Sequence, residues 1–306
     1  MSDTHATPNS LPSLQDVIAK YDLRAEKSRG QNFILDMNIT AQIAEHAAEN
    51  VEDLHKYDII EIGAGPGGLT RALLAAGAKR VIAIEADPRF TPALQDIKHV
   101  YPNLQIETAD ALHTSLADLT DQPYKVVANL PYNISTSLLM KWLAESWHGN
   151  QWNPQFISLT LMFQKEVAER IVAPVGTSAY GRLSIWTQWL CDAHIVLDLA
   201  PEVFVPAPKV HSSVVHLIPR ATPATPSDCT TDPAMLSQVL INSFGQRRKM
   251  LRRSLKALCS KHAKQVEAVL AQSGISGEAR PEVIDIAGFC RIAEALKKSQ
   301  KEKTDD

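Results

Sequence analysis

Hydrophobic positions follow two alternating periods along the first two thirds of the chain. Short apolar runs typical of buried strands alternate with stretches in which apolar residues return every three or four positions, as on a helix face. This alternation predicts an α/β fold with a doubly wound, mainly parallel sheet. The predicted strands are Asp58–Ile62, Val81–Ile84, Leu104–Glu107, Lys125–Ala128 and Phe156–Leu161, and the predicted helices are Ile39–Ala48, Leu69–Ala76, Pro92–Val100 and Ser135–Trp147.

The pattern changes in the last third. Two more predicted strands, His194–Leu199 and Val214–Ile218, are joined by a Pro-rich segment too short for a crossover helix, so we expect them to pair antiparallel at one sheet edge. The polar stretch Ala221–Pro233 is typical of an interdomain linker, and helical spacing follows it. The predicted organisation is a flexible arm (1–20), an α/β domain (21–219), a linker (220–233), a small all-helical domain (234–296) and a polar tail (297–306).

Composition narrows the class of protein. With 306 residues, 45% of them hydrophobic, the chain can bury one α/β core and still form a smaller domain. No apolar stretch approaches the ~20 residues needed to span a bilayer, and residues 1–12 do not have the pattern of a signal peptide. We therefore expect a soluble, cytoplasmic protein. The four cysteines are widely spaced without a CxxC pair, which argues against a zinc site and against a disulfide framework.

The formal net charge of −3 is unexpected for a protein that binds nucleic acid, but the charge is unevenly distributed. From Ala234 onward there are 14 Lys and Arg against 8 Asp and Glu, whereas the preceding residues have 17 against 26. Apolar residues recur at helical spacing around Gln246–Lys256, which predicts an amphipathic basic helix that contacts phosphates, with a merely solvated charged face as the alternative. The cations of this basic segment are Arg247, Arg248, Lys249, Arg252, Arg253 and Lys256.

A Gly-rich turn lies between the first predicted strand of the sheet and the helix that follows. Gly63, Gly65 and Gly68 form a GxGxxG pattern, which lets backbone N–H groups approach a nucleotide-like ligand. Glu85 stands 22 positions after Gly63, where an acid can accept hydrogen bonds from two ribose hydroxyls. These features indicate an adenosine-containing cofactor, and both NAD and S-adenosylmethionine fit them.

Acidic residues follow three successive strands and favour one of these cofactors. Glu61 ends the first strand, Glu85 the second, and Asp110 follows the third. Three acids suit a ligand that carries a positive sulfonium and no pyrophosphate, so S-adenosylmethionine is favoured over NAD. A helix cap is the alternative role for Asp110.

The tetrapeptide Asn129–Tyr132 (Asn-Leu-Pro-Tyr) follows a predicted strand at the edge where open α/β sheets bind ligands. The exocyclic amino group of adenine is a poor nucleophile because its lone pair is delocalised into the ring. The Asn129 side-chain oxygen and the Leu130 carbonyl, held by Pro131, could accept its two N–H bonds while Tyr132 stacks on the base. A strand-ending turn is the alternative interpretation.

Taken together, these motifs resemble the ribosomal RNA adenine dimethyltransferases, most closely their KsgA-type small-subunit branch. The resemblance extends from about Lys27 to Phe289. Its motifs occur in order as Gly30–Phe33, Glu61–Gly67, Ile84–Glu85, Asp110, Asn129–Thr136, Gln164–Arg170, Phe204–Ser213 and Gln246–Leu255.

The resemblance implies a Rossmann-like S-adenosylmethionine methyltransferase domain followed by a small all-helical domain that positions ribosomal RNA. It implies base stacking by Tyr132 and Phe204, although the sequence around Phe204 by itself favours a core aromatic. It also implies N6,N6-dimethylation of two adjacent adenines near the 3′ end of small-subunit rRNA. We expect a monomer that binds the 30S particle, without a metal or a membrane. The implied cofactor contacts are Asn32, Ile34, Gly63, Glu85, Asp110 and Asn129.

Two other functions remain open at this point. A large-subunit rRNA methyltransferase of the antibiotic-resistance type shares the Asn-x-Pro-Tyr motif and its chemistry, but the basic segment resembles the small-subunit branch more closely. A non-catalytic ribosome-assembly factor would need the basic segment and not Asn129 or Tyr132.

Overall fold

The computed structural model describes residues 11–26, 30–48 and 54–297. These residues form two compact units. The first contains the described residues up to Ser146 together with Asn153–Ala168 and His194–Pro219, and the second contains Trp147–Trp152, Glu169–Ala193 and the described residues from Arg220 onward. The predicted boundary near residue 220 coincides with a boundary between the units, but two internal stretches cluster with the second unit.

The strands are β1 (Phe33–Ile34), β2 (Asp58–Ile62), β3 (Arg80–Glu85), β4 (Leu104–Thr108), β5 (Tyr124–Ala128), β6 (Trp147–His148), β7 (Gln151–Trp152), β8 (Phe156–Gln164), β9 (Cys191–Leu199), β10 (Phe204–Val205) and β11 (Ser212–Pro219). The helices are α1 (Leu14–Lys20), α2 (Met37–Ala48), α3 (Gly68–Ala75), α4 (Thr91–Val100), α5 (Tyr132–Glu145), α6 (Lys165–Ile171), α7 (Arg182–Leu190), α8 (Pro233–Gly245), α9 (Leu251–Ser254), α10 (Lys256–Lys261), α11 (Val266–Gln272) and α12 (Ile286–Lys297).

A seven-stranded sheet with the order β4-β3-β2-β5-β8-β11-β9 organises the fold. Strands β4, β3, β2, β5 and β8 are parallel, and β11 joins β8 antiparallel. Every residue of β2 and β5 is buried, as expected for central parallel strands covered on both faces. The predicted doubly wound sheet is therefore confirmed, and β9 and β11 are neighbours at one end of it.

The amino-terminal segment departs from the prediction. Its interpretation as a flexible arm is wrong for Leu14–Lys20, which form α1; residues 1–10 lie outside the described residues. The Ser13 side chain caps this helix by accepting from the Asp16 N–H. Leu14 and Val17 are buried, one helical turn apart, and two apolar positions are too few for the periodicity to be recognised in the sequence.

Aromatic packing explains why two internal stretches belong to the second unit. Trp147 on β6 stacks on Trp189 of α7 with ring centroids 5.3 Å apart, and it also contacts Trp152 across the β6–β7 hairpin. The predicted linker contains no helix or strand before α8, and Thr225 within it accepts a hydrogen bond from the Trp189 indole (2.9 Å). From α8 onward the regular elements of the described residues are all helices, as predicted.

Candidate active site

A cavity of about 270 Å³ lies at the carboxyl ends of β2, β3, β4 and β5, inside the first unit. Its volume is near the lower end of the ~300–1,000 Å³ typical of small-molecule sites. The backbone turns that follow these parallel strands form its wall, which is the usual ligand position in an open α/β sheet. The structure therefore brings all the predicted cofactor residues together in one place: Asn32, Ile34, Gly63, Glu85, Asp110 and Asn129.

The Gly-rich turn between β2 and α3 depends on glycine conformations. Gly63 and Gly65 have φ values of +75° and +52°, a region that side chains disfavour. Gly67 is the N-cap residue of α3 and has φ +88°, and a Cβ atom there would clash with the Ile97 side chain of α4. The turn thus exposes backbone to the cavity, and at Gly67 it lies directly against the side chains of α4.

Glu85, the last residue of β3, is held rigidly on the cavity wall and is 9% exposed. Its Oε2 accepts from the Gly65 N–H and its Oε1 accepts from the Asp87 N–H, both at 2.8 Å. Each carboxylate oxygen can accept a further hydrogen bond, so the pair suits two ligand hydroxyls. Burial raises the pKa of Glu85 above its ordinary value, and the two backbone hydrogen bonds oppose that shift.

Glu61, at the end of β2, is a second buried acid on the cavity wall. It is 1% exposed, and its Oε2 accepts from the Thr70 hydroxyl (2.6 Å). Burial raises the pKa of Glu61 to about 8; the Thr70 hydrogen bond lowers it in part, and the nearby Glu85 carboxylate raises it. A carboxyl at this depth is easier to ionise when a positive charge lies nearby.

Asp110 follows β4 and is exposed at the cavity rim. Its Oδ1 accepts from the Leu112 N–H (2.9 Å), so it caps the turn after β4; no helix begins at this turn, so Asp110 is not the helix cap expected as the alternative. Lys141 of α5 fixes the same turn, because its ammonium group donates to the carbonyl oxygens of Ala111 (2.9 Å) and Thr114 (2.5 Å). A turn held in this way presents the Asp110 carboxylate in one orientation.

Asn129 stands where β5 ends, half-buried at the cavity. Its side-chain nitrogen donates to the Asn32 carbonyl oxygen (3.1 Å), which fixes the amide and leaves the side-chain oxygen as the amide atom that can accept. The Asn32 side-chain nitrogen donates to the Gly30 carbonyl oxygen (3.3 Å), and with the amide turned by 180° it would donate to the Pro206 carbonyl oxygen instead (3.0 Å). Leu130 is buried, and Pro131 directs the chain into α5.

Tyr132 and Phe204, the two predicted stacking aromatics, have different surroundings. Tyr132 is half-buried as the first residue of α5, and its hydroxyl lies 2.6 Å from the Ser212 hydroxyl oxygen. Phe204 on β10 pairs with Ile34 on β1 and is 2% exposed within the hydrophobic core. The β1–β10 pair brings two distant motifs together, but Phe204 does not line the cavity. Tyr132 does not line the cavity either, and the stacking roles of both aromatics stay predictions.

Several cavity residues were not assigned a role from the sequence, among them Thr40, Asp87 and Phe90. Phe90 packs edge-on against Phe33 with ring centroids 5.6 Å apart. Asp87 is buried and bonded to Arg89, which lowers its pKa to about 2. The position of Asp87 two residues after Glu85 is the only sequence signal that could have singled it out; Thr40 offers none.

The basic segment is not one helix, so that prediction is wrong. Helix α8 ends at Gly245, a turn follows, and the short helices α9 and α10 come next. The first N–H groups of α9 explain the break. Leu251 donates to the Ala279 carbonyl (2.9 Å) and Arg252 to the Gly277 carbonyl (3.1 Å), whereas in a continuous helix both would bond four residues back.

The basic segment still has apolar side chains that are buried and cations that are mostly exposed, as in the predicted amphipathic arrangement. Leu251 and Leu255 are fully buried, as expected. Arg247 is partly buried and donates to the Thr177 carbonyl (3.3 Å), and Arg252 lies 3.6 Å from the Glu278 carboxylate. The exposed cations are Arg248, Lys249, Arg252, Arg253 and Lys256.

Among the described residues, no helix is long and apolar enough to cross a membrane. Within the same ranges, no group of three or more His, Cys, Asp and Glu side chains is arranged to hold a metal ion.

Residues 23–298 match the ribosomal RNA adenine dimethylase family. The chain belongs to this family. Among its relatives, Ribosomal RNA small subunit methyltransferase A of Paracoccus denitrificans (strain Pd 1222) is 53% identical over 290 residues, covering 94% of this chain and 97% of the relative. The protein of the same name from Roseobacter denitrificans (strain ATCC 33942 / OCh 114) is 49% identical over 292 residues, covering 95% of this chain and 99% of the relative.

Solved structures of similar proteins agree with this membership of the dimethylase family. A dimethyladenosine transferase from Plasmodium falciparum has a TM-score of 0.67 and 29% identity, with 87% of this chain and 96% of that chain covered. The 23S rRNA methyltransferase ErmE has a TM-score of 0.62 and 28% identity, with 87% and 99% covered. The predicted fold class and the resemblance inferred from the motifs are thereby confirmed.

Proposed function

We propose that this dimethylase-family protein transfers methyl groups from S-adenosylmethionine to N6 of two adjacent adenines near the 3′ end of small-subunit rRNA, giving N6,N6-dimethyladenosine during ribosome biogenesis. One observation carries the proposal. The Asn129 side-chain amide, fixed by its hydrogen bond to the Asn32 carbonyl oxygen, stands beside a cavity lined by acidic side chains at the carboxyl ends of the parallel strands. The names of the curated relatives support the small subunit as the source of the RNA.

The side chains present fit S-adenosylmethionine. When bound, this cofactor supplies a methyl group on a positively charged sulfur. Glu85 would hold the ribose hydroxyls, Asp110 would receive the adenine amino group, and the backbone at Gly63 would lie against the ligand. Asn32, Ile34 and Asn129 would complete the site. The Glu85 carboxylate on the cavity wall favours a cation over a pyrophosphate, because it would repel a second anion.

Protein oxygen atoms that accept hydrogen bonds would orient the amino group that receives the methyl. The Asn129 side-chain oxygen and the Leu130 carbonyl would each accept one N–H of the target amino group, so that the nitrogen lone pair points toward the cavity. No general base is needed before transfer, because nitrogen loses its proton readily once it has become cationic. Tyr132 would stack on an adenine flipped out of the RNA, and Phe204 would cover its other face.

The basic segment would supply the contacts to RNA phosphates. Its exposed cations suit a 30S ribosomal particle as the partner, because phosphate contacts dominate the affinity of proteins for nucleic acids. The protein would act as a cytoplasmic monomer, and the acceptor chemistry described above requires no metal.

A second candidate function is methylation of adenine N6 in large-subunit rRNA, which the similarity to ErmE favours. The curated relatives, with 49–53% identity against 28%, favour the small subunit. A purely non-catalytic assembly factor would not require the locked amide of Asn129.

The test separates the candidates by substrate. The purified protein is incubated with methyl-labelled S-adenosylmethionine and, in parallel, with 30S particles, 50S particles and naked rRNA. We expect N6,N6-dimethyladenosine, mapped by mass spectrometry, in small-subunit RNA. Label confined to 50S particles would establish the second candidate, and no label in any arm would favour the assembly factor.

A further inference from the structure

The hydroxyl of Tyr132, at the start of α5, is held by a serine on strand β11 of the sheet. Tyr132 Oη lies 2.6 Å from Ser212 Oγ, a distance typical of a strong O–H···O hydrogen bond. Ser212 begins β11 and is fully buried, with its backbone paired to Gln164 of β8. The serine is therefore a rigid partner for the tyrosine hydroxyl.

The backbone of Tyr132 is fixed as well. Pro131 precedes it with restricted dihedral angles, and the buried Ser135 donates from its hydroxyl to the Tyr132 carbonyl oxygen (3.1 Å). These contacts anchor both ends of the side chain and limit the directions in which the ring can point, and neither contact is made through a face of the ring.

We infer that Ser212 is a positioning residue that fixes the direction in which the Tyr132 side chain points, and so the place of its ring beside the target base. This inference rests on the proposed function, in which Tyr132 stacks on adenine. An aromatic ring fixed in advance loses less conformational freedom when the base arrives, and it orients the amino group toward the acceptors at Asn129 and Leu130. Ser212 would thus affect turnover without touching the base or the cofactor.

The neighbouring serine provides a matched control. Ser213 is also fully buried on β11, but successive side chains of a strand point to opposite faces. Its hydroxyl donates to Asp198 Oδ1 (2.5 Å) and not to Tyr132. Ser213→Ala therefore removes a buried serine hydroxyl from the same strand while keeping the bond under test.

The experiment is a double-mutant cycle with Ser212→Ala, Tyr132→Phe and the double variant, assayed on 30S particles at saturating S-adenosylmethionine. Each single change should lower kcat by about three- to tenfold, the size expected for one neutral hydrogen bond. The double variant should be no slower than the slower single variant, because both changes remove the same bond. Affinity for S-adenosylmethionine, measured by calorimetry, should be unchanged, and Ser213→Ala should keep the parent kcat.

Several outcomes would overturn the inference. Separate effects that multiply in the double variant, or a parent-like kcat in Ser212→Ala, would show that the bond does not position the ring. Tyr132→Phe removes the bond from the half-exposed side, so a parent-like kcat in that variant overturns the inference even if Ser212→Ala does not fold. Tyr132→Ala separates the positioning of the ring by Ser212 from the stacking of the ring on the base. Normal turnover in this variant would rule out the stacking role itself and with it part of the proposed function.

Discussion

The cavity and the basic segment use charge in opposite ways. In the cavity, Glu61 and Glu85 are buried acids, each fixed by hydrogen bonds from protein groups before any ligand arrives. In the basic segment, Arg248, Arg253 and Lys256 are exposed to solvent. Burial makes the ionised form of a cavity acid costly, and it raises the pKa of Glu61 to about 8, whereas the exposed cations stay charged and act together through a screened field. Single substitutions in the cavity should therefore have large effects on turnover, stability or cofactor affinity. Substitutions in the basic segment should have smaller effects on RNA affinity, and these should depend on salt.

The largest expected effect is on turnover. Asn129→Ala should lower kcat by about 10²- to 10³-fold, the loss seen when one preorganised polar group is removed from an active site. Single-turnover kinetics on 30S particles measure this rate. Binding to the particles should persist, because the amide contributes little to a large RNA interface. A variant with normal turnover would remove the amide from the chemistry.

The next effect concerns the buried acid Glu61. Its pKa of about 8 in the folded protein, against an ordinary value of 4.5, means that the folded state binds one more proton between these pH values. The free energy of unfolding of the parent should therefore fall as pH rises from about 5 to 8, by ~1.4 kcal/mol per pH unit relative to Glu61→Gln. Urea titrations across this pH range provide the measurement. Parallel pH profiles for the two proteins would contradict a buried, neutral Glu61.

Neutralising the basic segment should have an effect that depends on salt. Arg248→Ala combined with Arg253→Ala should flatten the plot of log K against log salt by roughly 0.7–0.9 for each phosphate that is no longer neutralised. Filter binding to 30S particles across a salt series gives the slope. Lys261→Ala, an exposed cation outside the segment, is the matched control and should keep the parent slope. An unchanged slope in the double variant would mean that these charges form only a solvated surface.

The smallest expected effect is at Lys141, which acts on the cavity indirectly. Lys141→Met removes both hydrogen bonds to the turn after Asp110 and should weaken S-adenosylmethionine binding by about three- to tenfold. Glu145→Gln is the control, because it removes only the ion pair with Lys141 and leaves the bonds to the turn. Equal calorimetric affinities for parent and Lys141→Met would show that the turn is ordered without the lysine.

The sequence predicted the cavity better than the second unit, for a physical reason. Parallel strands place their carboxyl ends at one edge, so acids after successive strands must lie close together, as Glu61, Glu85 and Asp110 do. The break between α8 and α9 depends on the hydrogen bond from Leu251 to Ala279, a partner 28 positions away that leaves no local pattern. Local periodicity also missed α1. The pairing of Ile34 with Phe204 is another long-range contact.

Calorimetric titration of S-adenosylmethionine into Glu85→Ala tests the central claim most directly: the cofactor binds in the preformed cavity, and the contacts to RNA phosphates lie in the basic segment. Loss of a charge-assisted pair should weaken binding by roughly 10- to 150-fold, about 1.5–3 kcal/mol, while affinity for 30S particles stays at the parent value. The Arg248→Ala, Arg253→Ala variant should show the reverse, with unchanged cofactor affinity. Unchanged affinity for S-adenosylmethionine in folded Glu85→Ala would contradict the assignment of the cavity.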